Sequence, residues 1–377
     1  MQFKDVVGHS EVKKHLIDSV KNNRISHAQL FLGNEGNGNF QLALAYAQFI
    51  NCESPLEDDS CGKCSSCVKY QNFQHPDLNF FYPTAIGNDV KTQPSSKKLL
   101  GHWIDFLHQN EYFELKDWMN HIGAGERLSI INRLDSQDII KSLSLKNFEA
   151  KYKVVIIWWP EKMNIECSNK ILKVLEEPTP NSLFLLVGHN SDDLLATIIS
   201  RVQIIKTGLL SDSEIRQGLL DKEGVPEDLA DSLSVTAGGN FTKALELVKN
   251  PEGDEKFIAL FQTWMRLCYV VDYLGLEKWV DEIHNMGRIK QKDFLEYGLR
   301  VFRECMVYNY ANPELNRLHR KEEIFNAKFS KFIHGGNILD IIEVFEHTHT
   351  GILRNAYAKI AFMNLSLKMC NLLKYKP

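Results

Sequence analysis

Apolar positions along the chain fall into two rhythms that alternate. Val12, Leu16, Ile17 and Val20 follow helical spacing between Ser10 and Val20. Ala28-Gln29-Leu30-Phe31-Leu32 is a short apolar run that stops at Gly33, which predicts a buried strand. The glycine-rich stretch Gly33-Asn34-Glu35-Gly36-Asn37-Gly38 follows, and a helical pattern resumes from Gln41 to Ile50. Val154 to Ile157 and Leu183 to Val187 are two further strand-like runs. Between them the spacing predicts a helix from about Ile165 to Glu176, with Ile171, Leu172 and Leu175 on one face and Pro178 and Pro180 ending it. Strands apolar on both faces that alternate with helices predict a parallel sheet covered by helices, an α/β architecture.

The rhythm changes after Arg201. Short helical segments and the pair Gly238-Gly239 predict a small helical domain over 208–250. From Pro251 the pattern is almost wholly helical. Phe257, Leu260, Phe261, Trp264, Leu267 and Cys268 form one stripe and Ile338 to Phe345 another, so 251–377 is expected to be a helical bundle. Within 1–207, the stretch 84–149 stands apart. Thr92 to Lys98 is polar, and Trp103, Phe106, Tyr112, Phe113 and Trp118 then mark amphipathic helices. This stretch reads as an insertion with a small apolar face of its own.

Composition narrows the function classes. Of 377 residues, 44% are hydrophobic and 24% charged, as in a soluble protein with a sizeable core. Lys+Arg 44 against Asp+Glu 48 gives a net charge of −4, which excludes a surface that is basic all over and built to wrap nucleic acid. The basic runs Lys97-Lys98 and Arg317 to Lys321 are short and ordinary. No apolar run approaches the roughly 18–20 residues that cross a bilayer. The start Met1-Gln2-Phe3-Lys4-Asp5 has no apolar signal core, so a cytoplasmic protein is expected.

The glycine stretch carries the first candidate chemistry. Strand, glycine loop and helix in that order form a phosphate-binding unit, which needs a Lys for the β/γ-phosphates and a Ser/Thr hydroxyl for Mg²⁺. Gly33, Gly36 and Gly38 keep the glycine spacing, but Asn39 stands at the Lys position and Phe40 at the hydroxyl position. Seen alone, a plain glycine turn before a helix reads the same way. The strand Val154 to Ile157 should end in carboxylates that hold Mg²⁺ and polarise water; Trp158 and Trp159 stand there instead. Together these substitutions indicate an ATPase fold with its own catalysis removed.

Four of the 8 cysteines form the second candidate, Cys52-x₈-Cys61-x₂-Cys64-x₂-Cys67. Four thiolates surround Zn²⁺ tetrahedrally, and Gly62 lets the backbone turn tightly around an ion. An iron–sulfur cluster is the rival reading, although the closing Cys-x₃-Cys-Pro is absent. Cys167, Cys268, Cys305 and Cys370 are scattered and read as small buried residues. His27, His75, His189, His347 and His349 sit in no catalytic context and read as surface or packing residues.

On these features the chain resembles the δ′ family of bacterial DNA polymerase III clamp-loader subunits, within the AAA+ superfamily. The resemblance rests on Phe3-Lys4-Asp5-Val6-Val7-Gly8, on Asn23-Arg24-Ile25-Ser26-His27-Ala28 leading into Leu30-Phe31, and on the altered glycine loop. It continues through the four cysteines, Lys173-Val174-Leu175-Glu176-Glu177-Pro178 and Ile199-Ser200-Arg201, covering about the first 205 residues apart from the insertion.

The resemblance implies an AAA+ α/β domain over 1–207 with a zinc module at 52–67, a helical lid over 208–250 and an all-α collar domain over 251–377. It implies that Arg201, in Ser200-Arg201-Val202 where the family has Ser-Arg-Cys, acts in trans on the ATP of a neighbouring subunit, with Ser200 shaping the turn. ATP-binding relatives also carry an Arg in Gly-x-x-Arg-x-Ala-Leu. Here Gly239 to Leu245 has Thr242 at that place, and Lys243 beside it points about 100° away on a helix. No ATP binding is therefore expected at the chain's own site, and the zinc role is structural. The implied partners are γ/τ-like ATPase subunits and a delta-type subunit in a hetero-pentamer, with the sliding clamp and primer-template DNA met through that complex. An active γ/τ-like ATPase and a zinc-bearing interaction scaffold outside replication are the alternative readings.

Overall fold

A computed structural model describes residues 1–88, 90–249, 251–310 and 320–375. Arg317 of the short basic run lies outside them. The chain divides into two compact units, Met1–Leu245 and Glu246–Pro377.

The first unit is built on a parallel sheet of five described strands, β1 (Ala28–Leu32), β2 (Leu78–Phe81), β3 (Lys153–Trp158), β4 (Ser182–Gly188) and β5 (Gln203–Lys206), in the order β2-β3-β4-β1-β5. β1 lies between β4 (Leu32 beside Gly188) and β5 (Leu32 beside Lys206). The strands predicted from apolar runs are three of these. β2 and β5 escape the pattern because each is only four residues long and lies at an edge, where burial is incomplete.

Helices cover both faces, as the two-sided apolar strands require. α1 (Ser10–Lys21), α2 (Asn39–Ile50) and α3 (Ser65–Gln71) come before the insertion, which supplies α4 (Leu100–Gln109), α5 (Leu115–His121) and α6 (Arg133–Ser144). α7 (Ile165–Glu176) and α8 (Ala196–Ile199) follow, and the end of the unit contributes α9 (Asp212–Glu223), α10 (Glu227–Ala237) and α11 (Phe241–Lys249). Val154, Ile156 and Trp158 face one core with Leu42, Leu44, Trp103 and Trp118; Val155 and Ile157 face another with Ile139, Ile171 and Leu175. In the insertion, Trp103, Phe106, Phe113 and Trp118 pack on one another and also complete the main core against α2 and β3, while α6 joins the opposite core.

The second unit holds α12 (Pro251–Val270), α13 (Tyr273–Asn285), α14 (Arg288–Tyr310), α15 (Arg320–Phe329), α16 (Ile338–Leu353) and α17 (Ala358–Leu372), with no strand among its described residues. The predicted stripe supplies Leu260, Phe261, Trp264 and Cys268 to its core. Trp264 stacks on Trp279, centroids 4.8 Å apart and planes at 5°, and its Nε1 donates to Ser366 Oγ at 2.8 Å.

Candidate functional site

β1 delivers the chain to the C-terminal edge of the sheet, the edge at which open α/β folds bind ligands. There it turns through Gly33–Gly38 into α2. Gly36 (φ 78°) and Gly38 (φ 95°) take left-handed backbone that suits glycine, and a side chain on Gly36 would collide with Asn240. Such a loop presents backbone N–H groups to phosphate at the helix N-terminus.

Protein atoms occupy that region. Phe40, in the first turn of α2, is buried, and its ring lies 5.3 Å from Phe113, 5.8 Å from Trp103 and 6.4 Å from Trp158. Phe113 and Trp158 are themselves 5.2 Å apart. Asn39 is buried beside them and accepts a hydrogen bond from the Thr207 hydroxyl. Thr242 N donates to Gly36 O at 3.1 Å, and Asn37 Nδ2 donates to Gly208 O at 3.0 Å. Between the loop, Phe113, Trp158, His189 and Thr242 there remains a cavity of about 10 Å³. That is room for about one water molecule, against the roughly 300–1,000 Å³ of a small-molecule site.

The strand ends beside the loop carry the rest. Trp158 closes β3, and Trp159, just after it, takes a left-handed conformation (φ 56°) that lays its ring 4.3 Å from His189. The nearest following carboxylate, Glu161, accepts backbone N–H donors from His189 and from Asn190 (2.9 Å), so it ties down the end of β4. Burial raises its pKa. His189 Nδ1 meets Gly33 O at 3.1 Å, and burial lowers this imidazole's pKa to about 4. Sequence reasoning missed Glu161. His189 reads as a packing residue because nothing local marks it; only the β1–β4 pairing sets it against the loop.

Arg201 stands elsewhere. It follows the short α8 and precedes β5, which runs parallel to β1 with Gln203 beside Gln29. It therefore lies towards the N-terminal edge of the sheet, and the strand from Gln203 to Thr207 spans about 13 Å before the level of the loop is reached. Its Nη1 donates to Thr197 O (2.8 Å) and Ser200 Oγ (3.1 Å), and its Nη2 pairs with Glu176 Oε1 at 2.5 Å. The side chain remains 33% exposed. The loop glycines, Asn39 and Trp158 are brought together; Arg201 is not with them.

Cys52, Cys61, Cys64 and Cys67 converge with all four Sγ atoms within 4.8 Å of one another. Cys52 and Cys64 are 4.0 Å apart and Cys61 and Cys67 3.9 Å, near the ~3.8 Å edge of a tetrahedron with ~2.3 Å metal–sulfur bonds. This spacing suits a single metal ion rather than a cluster of several irons. Backbone N–H groups of Cys61, Cys64 and Cys67 point at the sulfurs of Cys52, Cys61 and Cys64 (3.3–3.4 Å) and favour thiolates. The Cys61 thiol is lowered to about 6, chiefly by the Lys63 N–H, whereas burial raises Cys67. Around the sulfurs, Asp59 accepts Phe3 N and Lys4 N, and Gln2 Nε2 donates to Ser60 O, so the cysteine loop fastens the N-terminal segment. No described helix is long and apolar enough to cross a membrane.

Residues 8–209 match the family model for the DNA polymerase III delta subunit. The chain is 26% identical over 312 residues to the DNA polymerase III subunit delta′ of Bacillus subtilis, covering 80% of this chain and 78% of that one. It is 23% identical to the Bacillus subtilis subunit tau, covering 98% of this chain and 61% of tau. A gamma subunit-related DNA polymerase III protein of Thermotoga maritima is 15% identical, with a TM-score of 0.45, covering 96% of this chain and 99% of that one. The matched segment runs from Gly8 through the loop, the cysteines and Arg201, and the chain belongs to the DNA polymerase III delta subunit family of clamp-loader proteins.

Proposed function

We propose that the chain is a non-hydrolysing, δ′-type subunit of a cytoplasmic DNA polymerase III clamp loader. It partners γ/τ-like ATPase subunits and a delta-type subunit in a hetero-pentamer that loads the sliding clamp on primed DNA. The observation that carries this reading is the contact between Phe40 and Trp158. Those positions need a hydroxyl and a carboxylate for Mg²⁺·ATP chemistry, yet two aromatic rings meet there beside a cavity of about 10 Å³.

Arg201 is the residue proposed to act. It lies away from its own loop and its side chain is partly exposed, so any phosphate it serves belongs to another subunit. A planar guanidinium stabilises charge that develops on a γ-phosphoryl group and makes turnover depend on the subunit interface. The four cysteines are proposed to hold Zn²⁺. With four protein thiolates no ligand position stays open, so the ion would brace the loop that fastens Gln2–Lys4.

The test is reconstitution with the ATPase and delta-type partners, the clamp and primed DNA. Arg201→Ala is expected to leave assembly intact and to lower total ATP turnover severalfold, because only the adjoining site loses a guanidinium worth about 10³ there. Unchanged turnover in the assembled complex refutes the role of Arg201. ATP turnover by the chain alone that is abolished by changes in Gly33–Phe40 refutes the non-hydrolysing reading.

A further inference from the structure

Phe40 and Phe113 also wall a second, larger cavity, of about 430 Å³, that lies wholly within the first unit. Its volume falls in the roughly 300–1,000 Å³ range of small-molecule sites. Leu44 of α2, Phe73 after α3 and Leu107 of α4 complete the apolar wall. Gln41, Gln71 and Asn110 line it as well, and each spends an amide N–H on a backbone carbonyl. Gln41 donates to Glu111 O, Gln71 to Gly62 O (3.0 Å) and Asn110 to Phe106 O (3.0 Å). Their amide oxygens have no protein donor among the described residues, although Gln41 is only 4% exposed. Two carboxylates on the wall are in the same state. Asp5 accepts Gln2 N through Oδ2 (2.8 Å) and Glu111 takes Lys222 Nζ through Oε1 (2.5 Å), so Asp5 Oδ1 and Glu111 Oε2 keep open lone pairs. The cations beside them already have partners. Lys222 holds Glu111 and lies over the Tyr112 ring (5.6 Å), and Met1 N donates to Gln48 Oε1 (3.1 Å).

Unmatched acceptor oxygens on an apolar wall select a ligand that is rich in donors and carries a hydrocarbon stem. The two carboxylates disfavour an anion, because like charges brought together cost several kcal/mol. We propose that this cavity is a binding site for a linear aliphatic polyamine. An ammonium group offers three donors and no acceptor, which complements Asp5, Glu111 and the three amide oxygens. Its bonds to the carboxylates are charge-assisted and about twice as strong as neutral ones. The methylene stem has Leu44, Phe73 and Leu107 to lie on. Binding there links the stability of the first unit to the polyamine concentration. The site is distinct from the cavity of about 10 Å³ inside the glycine loop and does not depend on the role of Arg201.

The test is titration calorimetry on the full chain at about 150 mM salt, where diffuse surface attraction is screened. Spermidine and diaminooctane are each expected to bind once per chain, and octanediol, which has the stem without the charges, is expected not to bind. Asp5→Asn/Glu111→Gln keeps side-chain shape and an acceptor for Gln2 N and for Lys222. It is expected to weaken spermidine about tenfold or more. Asp192→Asn/Asp193→Asn makes the same change of charge on exposed residues elsewhere and is expected to leave the affinity unchanged. In the wild type, saturating spermidine is expected to slow hydrogen exchange over 40–44 and 106–113 severalfold. No binding of spermidine, equal binding of octanediol, equal weakening by the two double variants, or unchanged exchange over these residues overturns the proposal. The exchange measurement uses the wild type, so it decides the matter even if Asp5→Asn/Glu111→Gln does not fold.

Discussion

The ring of Phe40 meets that of Trp158 nearly edge-to-face, with centroids 6.4 Å apart and planes at 71°. One residue lies in the first turn of the helix after the glycine loop and the other ends the neighbouring-but-one strand. Both positions are defined by chain topology, and in this chain both are given over to packing. Packing of this kind is not undone by exchanging a single group.

It follows that reinstating the missing lysine and hydroxyl should fail. Asn39→Lys/Phe40→Thr is expected to give no ATP turnover, because Phe113 and Trp158 still fill the pocket, and to lower stability by about 3 kcal/mol through loss of the buried ring. Urea unfolding followed by tryptophan fluorescence measures the stability, and a phosphate-release assay the turnover. Measurable turnover in this variant contradicts the account.

For the cysteine module, metal analysis of dialysed protein is expected to find about one zinc per chain and no labile sulfide. Cys64→Ser should lower Tm by several degrees and expose Gln2–Lys4 to protease, since Asp59 and Ser60 hold that segment. An iron content with sulfide, or a Cys64→Ser chain as stable and protected as wild type, contradicts it.

The third prediction concerns pH. Burial lowers the pKa of His189 to about 4 from an unfolded value near 6.5, and lowers His9 and His75 in the same direction. The unfolded chain binds more protons than the native chain between these values, so stability is full above pH ~6.5 and falls as pH drops towards 4. His189 alone accounts for up to about 3 kcal/mol of that loss. Unfolding free energy measured from pH 7 to 4 should slope less in His189→Gln. An equal slope places the titration elsewhere.

Arg201 should matter little to stability. Its pairing with Glu176 is half exposed, and such pairs contribute about 0–1 kcal/mol. Arg201→Ala and Glu176→Ala should each keep Tm within about 2 °C of wild type by calorimetry. A large drop would mean that Arg201 is structural, and any effect on complex turnover would then need another explanation.

Much of the fold was legible because its central elements are long or two-sided. β1, β3 and β4 are apolar on both faces, and α7 runs from Ile165 to Glu176 as its spacing predicts. The edge strands β2 and β5 were not legible, since four residues at a sheet edge carry too little pattern. Trp103, Phe106, Phe113 and Trp118 announced an apolar face by helical spacing, but spacing cannot say what that face meets. His189 and Glu161 acquire their places only when β3, β4 and β1 align.

By itself the amino-acid order determined which chemistry is missing: Asn39, Phe40, Trp158, Trp159 and Thr242 each lack the group a nucleotide site needs, and that is a property of side chains one at a time. It likewise determined the ligand-type set of Cys52, Cys61, Cys64 and Cys67, because those residues are close along the chain. Only the tertiary structure decided what packs beside the glycine loop. Phe40, Phe113 and Trp158 are far apart in sequence and converge through parallel strand pairing, and Tyr112 reaches Val7, Gly38 and Phe241 at once. Contacts among residues so distant depend on how the sheet is ordered, and no local periodicity encodes that order.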